Sequence, residues 1–156
     1  MSQRIKGELS GKGLRIGIVM SRFNSPVTEG LLRGAMRALI ASEMSEGEIT
    51  TIEVPGAFEI PFALGMMAGS NRYDALITLG CVIKGETAHF EYISGAAIRG
   101  ITAVQEKYGI PISCGVLTTY TEEQAIMRSG DNEENKGSEA ALTAIEMANL
   151  AKQLKG

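Results

Sequence analysis

The chain has 156 residues, of which 15 are Lys or Arg and 18 are Asp or Glu, giving a formal charge of −3. That length suits one domain, residues 1–156, with a core large enough to need neither metal nor disulfide. Without a basic stripe and with 5% aromatic residues, it offers no footprint for nucleic acid or a membrane surface. No apolar stretch reaches signal-peptide or transmembrane length, so a cytoplasmic protein is the expectation.

Residues 3–9 alternate weakly and predict a short N-terminal edge strand or an arm that pairs with another subunit. The compact apolar run 14–20 predicts a strand covered on both faces. Ser25 and Pro26 then read as the cap and first position of a helix with an apolar face of Val27, Leu31, Ala35 and Leu39. Residues 49–54 alternate as a strand that Pro55 and Gly56 end, and the next helix is expected near Pro61, leaving 57–59 in the connecting loop. Residues 74–80 form the third strand, 88–108 the third helix and 110–117 the fourth strand. Thr121 and Gln124 have capping-box spacing, opening a short helix that ends at 128–130, and the last helix spans 138–154.

Four alternations of strand and helix predict a doubly wound α/β architecture, a four-stranded parallel sheet with helices on both faces. Such sheets bind ligands beyond the carboxyl ends of their strands. The third helix carries small residues on a second side at Ala96, Gly100 and Ala103, and the last helix is nearly all small or apolar along one side, so subunit contacts are expected there. Cys81 and Cys114 lie in apolar strand-like stretches without metal-ligand spacing and are expected to be reduced and buried; with a single histidine, a zinc site is not expected.

Residues 80–93 form a strand-to-helix turn in which Gly85, Glu86 and Thr87 offer an unhindered backbone and a capping side chain. The free amides of a first helical turn attract an anion. The only histidine, His89, sits in that turn, where it could shuttle a proton beside the anion; a packed or surface imidazole is the plainer alternative.

These loops together resemble the lumazine synthase family. The likeness rests on Ser21-Arg22-Phe23-Asn24, on the string from Val54 to Pro61, on Gly80 to Ile93, and on Gly115-Val116-Leu117-Thr118-Thr119. Gln124-Ala125-Ile126 leading to Arg128, then Asn135-Lys136-Gly137 and Glu139-Ala140-Ala141, complete it. The resemblance implies a flavodoxin-like three-layer sandwich and a transferase of the penultimate step of riboflavin biosynthesis. That enzyme condenses 5-amino-6-(D-ribitylamino)uracil with 3,4-dihydroxy-2-butanone 4-phosphate, releasing phosphate and water, with no cofactor and no metal. The amine comes from the substrate, so Lys84 reads as solvated or structural rather than as a nucleophile.

Carried over by resemblance, Phe23 stacks on the pyrimidine, where the alternative is a core aromatic. Ala57, Phe58 and Glu59 hold the ribityl chain, with an exposed surface charge as the alternative for Glu59. Cys81, Val82 and Ile83 present backbone groups to the uracil edge. Glu86 and Thr87 form the butanone phosphate site, completed by Arg128 and, as a second cationic candidate, Lys136. An arginine at a helix end also satisfies terminal carbonyls. His89 becomes the proton shuttle. Cys114 stands where the family usually has phenylalanine, which removes most of a ring that would pack on the heterocycle from an adjacent subunit.

The resemblance further implies homo-oligomers built from pentamers with shared active sites, some closing into icosahedral shells and others stopping at pentamers or decamers. It also names riboflavin synthase as a candidate partner. The turn from Arg128 to Lys136 has the shell-forming length, yet Asp131, Glu133 and Glu134 crowd it with acids, so salt and mild acid are expected to favour the larger particle. A non-catalytic flavin- or lumazine-binding protein on the same fold is the competing reading.

Overall fold

A computed structural model describes residues 1–156. Strands β1 (Ile16–Ser21), β2 (Ile49–Val54), β3 (Ala75–Ile83) and β4 (Ile112–Thr119) form one sheet in the order β2-β1-β3-β4. Every pairing is parallel. Helices α1 (Ser25–Ala41), α2 (Ile60–Gly69), α3 (His89–Tyr108), α4 (Glu122–Met127) and α5 (Lys136–Lys155) fill the connections and the carboxyl end.

Side chains alternate along β1, so Ile16, Ile18 and Met20 enter one core with Leu31, Ala35 and Leu39 of α1 and Ala141, Ala144 and Ile145 of α5. Val19 enters the other core with Ile60, Leu64 and Met67 of α2 and Ala97 and Ile101 of α3. All six residues of β1 are therefore buried, which is why its sequence runs apolar without alternation. This is the doubly wound three-layer sandwich. The chain leaves β1 toward β2 and returns past β1 to β3, so the switch in strand order opens a crevice at the carboxyl ends of β1 and β3.

Several boundaries differ from the sequence expectations, each for an identifiable reason. Residues 3–9 form no strand: Asn149 Nδ2 donates to Glu8 O and Ser10 O at 2.8 Å each, and Gln153 Nε2 to Lys6 O at 3.2 Å, laying the segment along α5. The residue capping α1 is Asn24 rather than Ser25, in a left-handed conformation (φ 64°) that asparagine tolerates. β3 runs on to Ile83 because β4 pairs with it that far, Ile83 opposite Thr119, so residues 81–83 belong to a strand rather than to a turn. α5 begins at Lys136 rather than Ser138, since the buried Asn135 side chain accepts from Gly137 N (2.8 Å) and Ser138 N (3.1 Å). The Thr121 and Gln124 capping box forms as expected, and Gln124 N donates to Thr121 Oγ1 at 3.1 Å.

Cys81 is buried, but Cys114 is exposed. β4 is an edge strand, and its positions 114 and 118 are exposed although Ile112 and Val116 on the same face enter the core with α2 and α3. Part of the small-residue surface assigned to subunit contacts is used inside the chain. Gly100 makes room for Pro61 of α2, and the buried alanines of α5 pack against α1 and the sheet. Gly137 lets α5 approach α1 so closely that any Cβ there would collide with Leu31 O.

Candidate active site

The carboxyl ends of β1, β2 and β3 and the start of α3 enclose a cavity of about 410 Å³. From β1 comes Phe23, 71% exposed, which rules out the core-aromatic alternative. Its backbone is fixed rather than loose: Arg22 N donates to Val54 O (2.8 Å), Phe23 N to Pro55 O (2.9 Å), and Asn24 Nδ2 to Cys81 O (3.1 Å). The ring is thus presented to solvent from a loop tied to the exits of both β2 and β3.

From β2 come Pro55, Gly56 and the 3-10 turn Ala57–Glu59. Ala57 is buried and Phe58 is 59% exposed. Glu59 is half-buried rather than a free surface charge, and its Oε1 accepts from Gly56 N at 2.9 Å. This bond closes the turn and leaves the second carboxylate oxygen for another donor. The amides of Ala57 and Phe58 have no acceptor within the chain. From β3 come Cys81, Val82 and Ile83, and burial pushes the Cys81 thiol up to about 11, so it remains protonated and unreactive at neutral pH.

Beyond β3 the loop 84–88 leads into α3. Lys84 N donates to Thr119 O at 2.9 Å, extending the ladder by one step, and His89 N donates to Thr87 Oγ1 at 3.3 Å. The four intervening amides, Gly85 to Ala88, find no acceptor within the chain. Successive unpaired amides at the start of a 20-residue helix make an anion seat by their own dipoles and that of the helix. Gly85 has neither a left-handed φ nor any neighbour that a Cβ would meet, so the fold does not require glycine there; its effect is to keep the approach clear. Glu86 and Thr87 are exposed and do not line the cavity, while His89 and Ile93 do.

The remaining residues marked for the site do not join this cavity. Cys114, Arg128 and Lys136 line a separate depression of about 320 Å³ on the β4 side. Arg128 Nη1 donates to Gln124 O at 3.0 Å, so within one chain it serves a terminal carbonyl of α4, the alternative reading of a helix-end arginine. Lys136 Nζ pairs with Glu139 at 2.9 Å. Lys84 lies over the Tyr120 ring, 5.6 Å from its centroid, in keeping with a structural role. No three His, Cys, Asp or Glu side chains converge to hold a metal ion, and no helix is long and apolar enough to cross a membrane.

Sequence reasoning passed over Asn24, although a lone asparagine between an aromatic and a helix start is a recognisable left-handed position. It also passed over Ile93, whose helical spacing from His89, four residues on, puts both on one face.

The cavity therefore combines an exposed ring, unpaired loop amides, a half-committed carboxylate, and a histidine beside an anion seat. An exposed ring can stack on a heterocycle, free amides can take an anion, and a histidine beside them can move a proton. A model of the 6,7-dimethyl-8-ribityllumazine synthase family matches residues 13–152 of the 156-residue chain. The match takes in every strand and every wall of the cavity, and the chain belongs to that family of riboflavin-biosynthesis transferases.

Proposed function

We propose that this cavity is where 5-amino-6-(D-ribitylamino)uracil meets 3,4-dihydroxy-2-butanone 4-phosphate, and that each wall serves one part of the two substrates. Phe23 stacks on the pyrimidine, whose edge reads the backbone of residues 81–83. The amides of Ala57 and Phe58 and the free oxygen of Glu59 take the ribityl hydroxyls. The phosphate sits on the amides of residues 85–88 with the Thr87 hydroxyl.

The substrate amine attacks the ketone, phosphate departs, water is lost and the ring closes. His89 carries protons between the attacking nitrogen and the departing oxygens. Much of the acceleration is approximation, because two reactants held in contact escape the entropic cost of meeting. The observation that carries this reading is the run of four unpaired amides immediately before the histidine.

Arg128, Lys136 and Cys114 act in the cavity of an adjacent copy. The cavity's own walls hold no arginine or lysine, whereas a departing phosphate needs permanent positive charge. Exposed Phe58, Phe62, Met66 and Tyr92 support such packing, and a pentamer with shared sites is the assembly proposed. The test is turnover with both substrates in chelator, followed by lumazine absorbance, on protein sized by light scattering. Product formation by the oligomer and none by a dissociated monomer is expected. No product above the uncatalysed rate from folded oligomer would sink the catalytic reading in favour of a lumazine- or flavin-binding protein.

A further inference from the structure

The anion loop has an unusual support. Its amides bond to nothing in the chain, so whatever fixes their direction must act from the loop's two ends. Lys84 opens the loop and Phe90 follows His89 in the first turn of α3. Both converge on one side chain, Tyr120. Lys84 Nζ lies 5.6 Å from the Tyr120 centroid, and the Phe90 and Tyr120 centroids are 6.1 Å apart at an interplanar angle of 44°. Both are within the range of an attractive cation-π or tilted aromatic contact.

Tyr120 is itself held firmly. Its N–H donates to Gln124 Oε1 at 2.8 Å within the box that caps α4, and the preceding Thr119 hydroxyl donates to Thr121 O at 2.9 Å. The ring is 68% exposed and lies outside both cores. A side chain so exposed contributes little to folding, yet it touches both ends of the segment that carries the free amides and His89.

We propose that Tyr120 is a positioning residue for the butanone phosphate, a clasp that sets the spacing between Lys84 and Phe90 and so directs the amides of residues 85–88. The clasp rests on the anion-seat reading above. It acts through the ring faces, and the phenolic hydroxyl makes no hydrogen bond within the chain. It favours the substrate that carries the phosphate over the one that stacks on Phe23.

The experiment uses the full-length oligomer, with inorganic phosphate as a competitive probe alongside steady-state kinetics in each substrate. Tyr120→Ser is expected to raise both KM for the butanone phosphate and the inhibition constant of inorganic phosphate about 5- to 20-fold, the loss expected for one aromatic and one cation-π contact. KM for the ribitylaminouracil should move less than about twofold, on the same reasoning that the stacking loop is untouched. Tyr120→Phe, which keeps the ring, should restore wild-type phosphate inhibition, and circular dichroism should show both variants folded. Wild-type inhibition by phosphate together with an unmoved constant in Tyr120→Ser would overturn the clasp alone. Failure of phosphate to compete in the unaltered protein would overturn the anion seat and the clasp with it. Equal increases in KM for both substrates would reduce Tyr120 to a general structural role and overturn the proposal.

Discussion

Glu59 has two tasks that a pair of substitutions can separate. One carboxylate oxygen closes the 56–59 turn through Gly56 N at 2.9 Å, and the other is assigned to a ribityl hydroxyl. Glu59→Gln keeps a carbonyl oxygen for the Gly56 amide and replaces the hydroxyl's charged acceptor with a neutral amide. A hydrogen bond to a charged group is worth about 1.5 to 3 kcal/mol against about 0.5 to 1.5 for a neutral pair, so the loss is about 1 kcal/mol, or about fivefold in affinity. Glu59→Ala removes the hydroxyl's partner entirely and also strands the part-buried Gly56 amide, which adds about 1 to 3 kcal/mol. The stranded amide shows in stability, while the affinity loss is that of the charged hydroxyl bond alone, about 1.5 to 3 kcal/mol or on the order of 10- to 100-fold. Steady-state kinetics should place both losses in KM for the ribitylaminouracil, with KM for the butanone phosphate nearly unchanged. Equal effects of Gln and Ala on KM would show that charge alone makes the hydroxyl bond. A loss confined to the phosphate substrate would refute the ribityl assignment.

His89→Ala should lower turnover by about one to two orders of magnitude with the fold intact, since approximation survives; a loss under twofold in kcat would remove His89 as the shuttle. Arg128→Ala should raise KM for the butanone phosphate by about tenfold while sparing the ribitylaminouracil, and an unchanged dependence on the phosphate substrate would show that the anion is held elsewhere. The Cys81 thiol is held neutral up to about 11 in the fold, against an ordinary value of 9.0. Its contribution is therefore complete below pH 9 and is lost as pH rises toward 11, by about 1 to 2 kcal/mol once solvent screening is allowed for. Urea midpoints between pH 9 and 11 should fall less steeply for Cys81→Ala, and identical slopes would contradict the burial effect. In the acidic turn Asp131 is paired with Arg37, which leaves Glu133 and Glu134 as the uncompensated charges. Particle size by light scattering should grow with salt or mild acid and lose that response in a Glu133→Gln, Glu134→Gln variant; a size constant in the unaltered protein would show that these acids do not govern assembly.

The fold was readable because its two central strands are buried on both faces and its elements are punctuated by turn chemistry. The run 14–20, the Pro55 and Gly56 stop and the Thr121 box each point to one local structure. The loops that line the cavity were readable for the same reason: parallel topology puts them at one end of the sheet, and residues 23, 57–59, 81–83 and 89 do share one cavity. What escaped depends on strand order and on single side-chain bonds. Cys114 has the apolar neighbours of a core cysteine, and only the edge position of β4 exposes it. Asn135 reads as a loop residue, but it is buried, and its Nδ2 also donates to Gly30 O at 3.1 Å and Gly130 O at 2.9 Å, joining α1 to the start of α5. Glu59 reads as a ligand or a surface charge, whereas it also builds its own turn.

The proposed division of the site into two surfaces has an electrostatic logic. Glu59 and Arg128 within one wall would pair with each other, and a paired carboxylate and guanidinium are poor partners for hydroxyls and phosphate. The sheet prevents this by placing Glu59 after β2 and Arg128 at the end of α4, beyond β4. Arg128 instead rests on the neutral Gln124 carbonyl, a single exposed hydrogen bond that a phosphate dianion, charged where the carbonyl is not, readily outcompetes. Lys136 is held only by an exposed i,i+3 pair with Glu139, worth about 0.2 to 0.5 kcal/mol. Both cations are thus parked on weak partners, away from the Glu59 carboxylate. In the proposed ring of subunits they meet that carboxylate only across a cavity, with the phosphate seated between the cations and the loop amides.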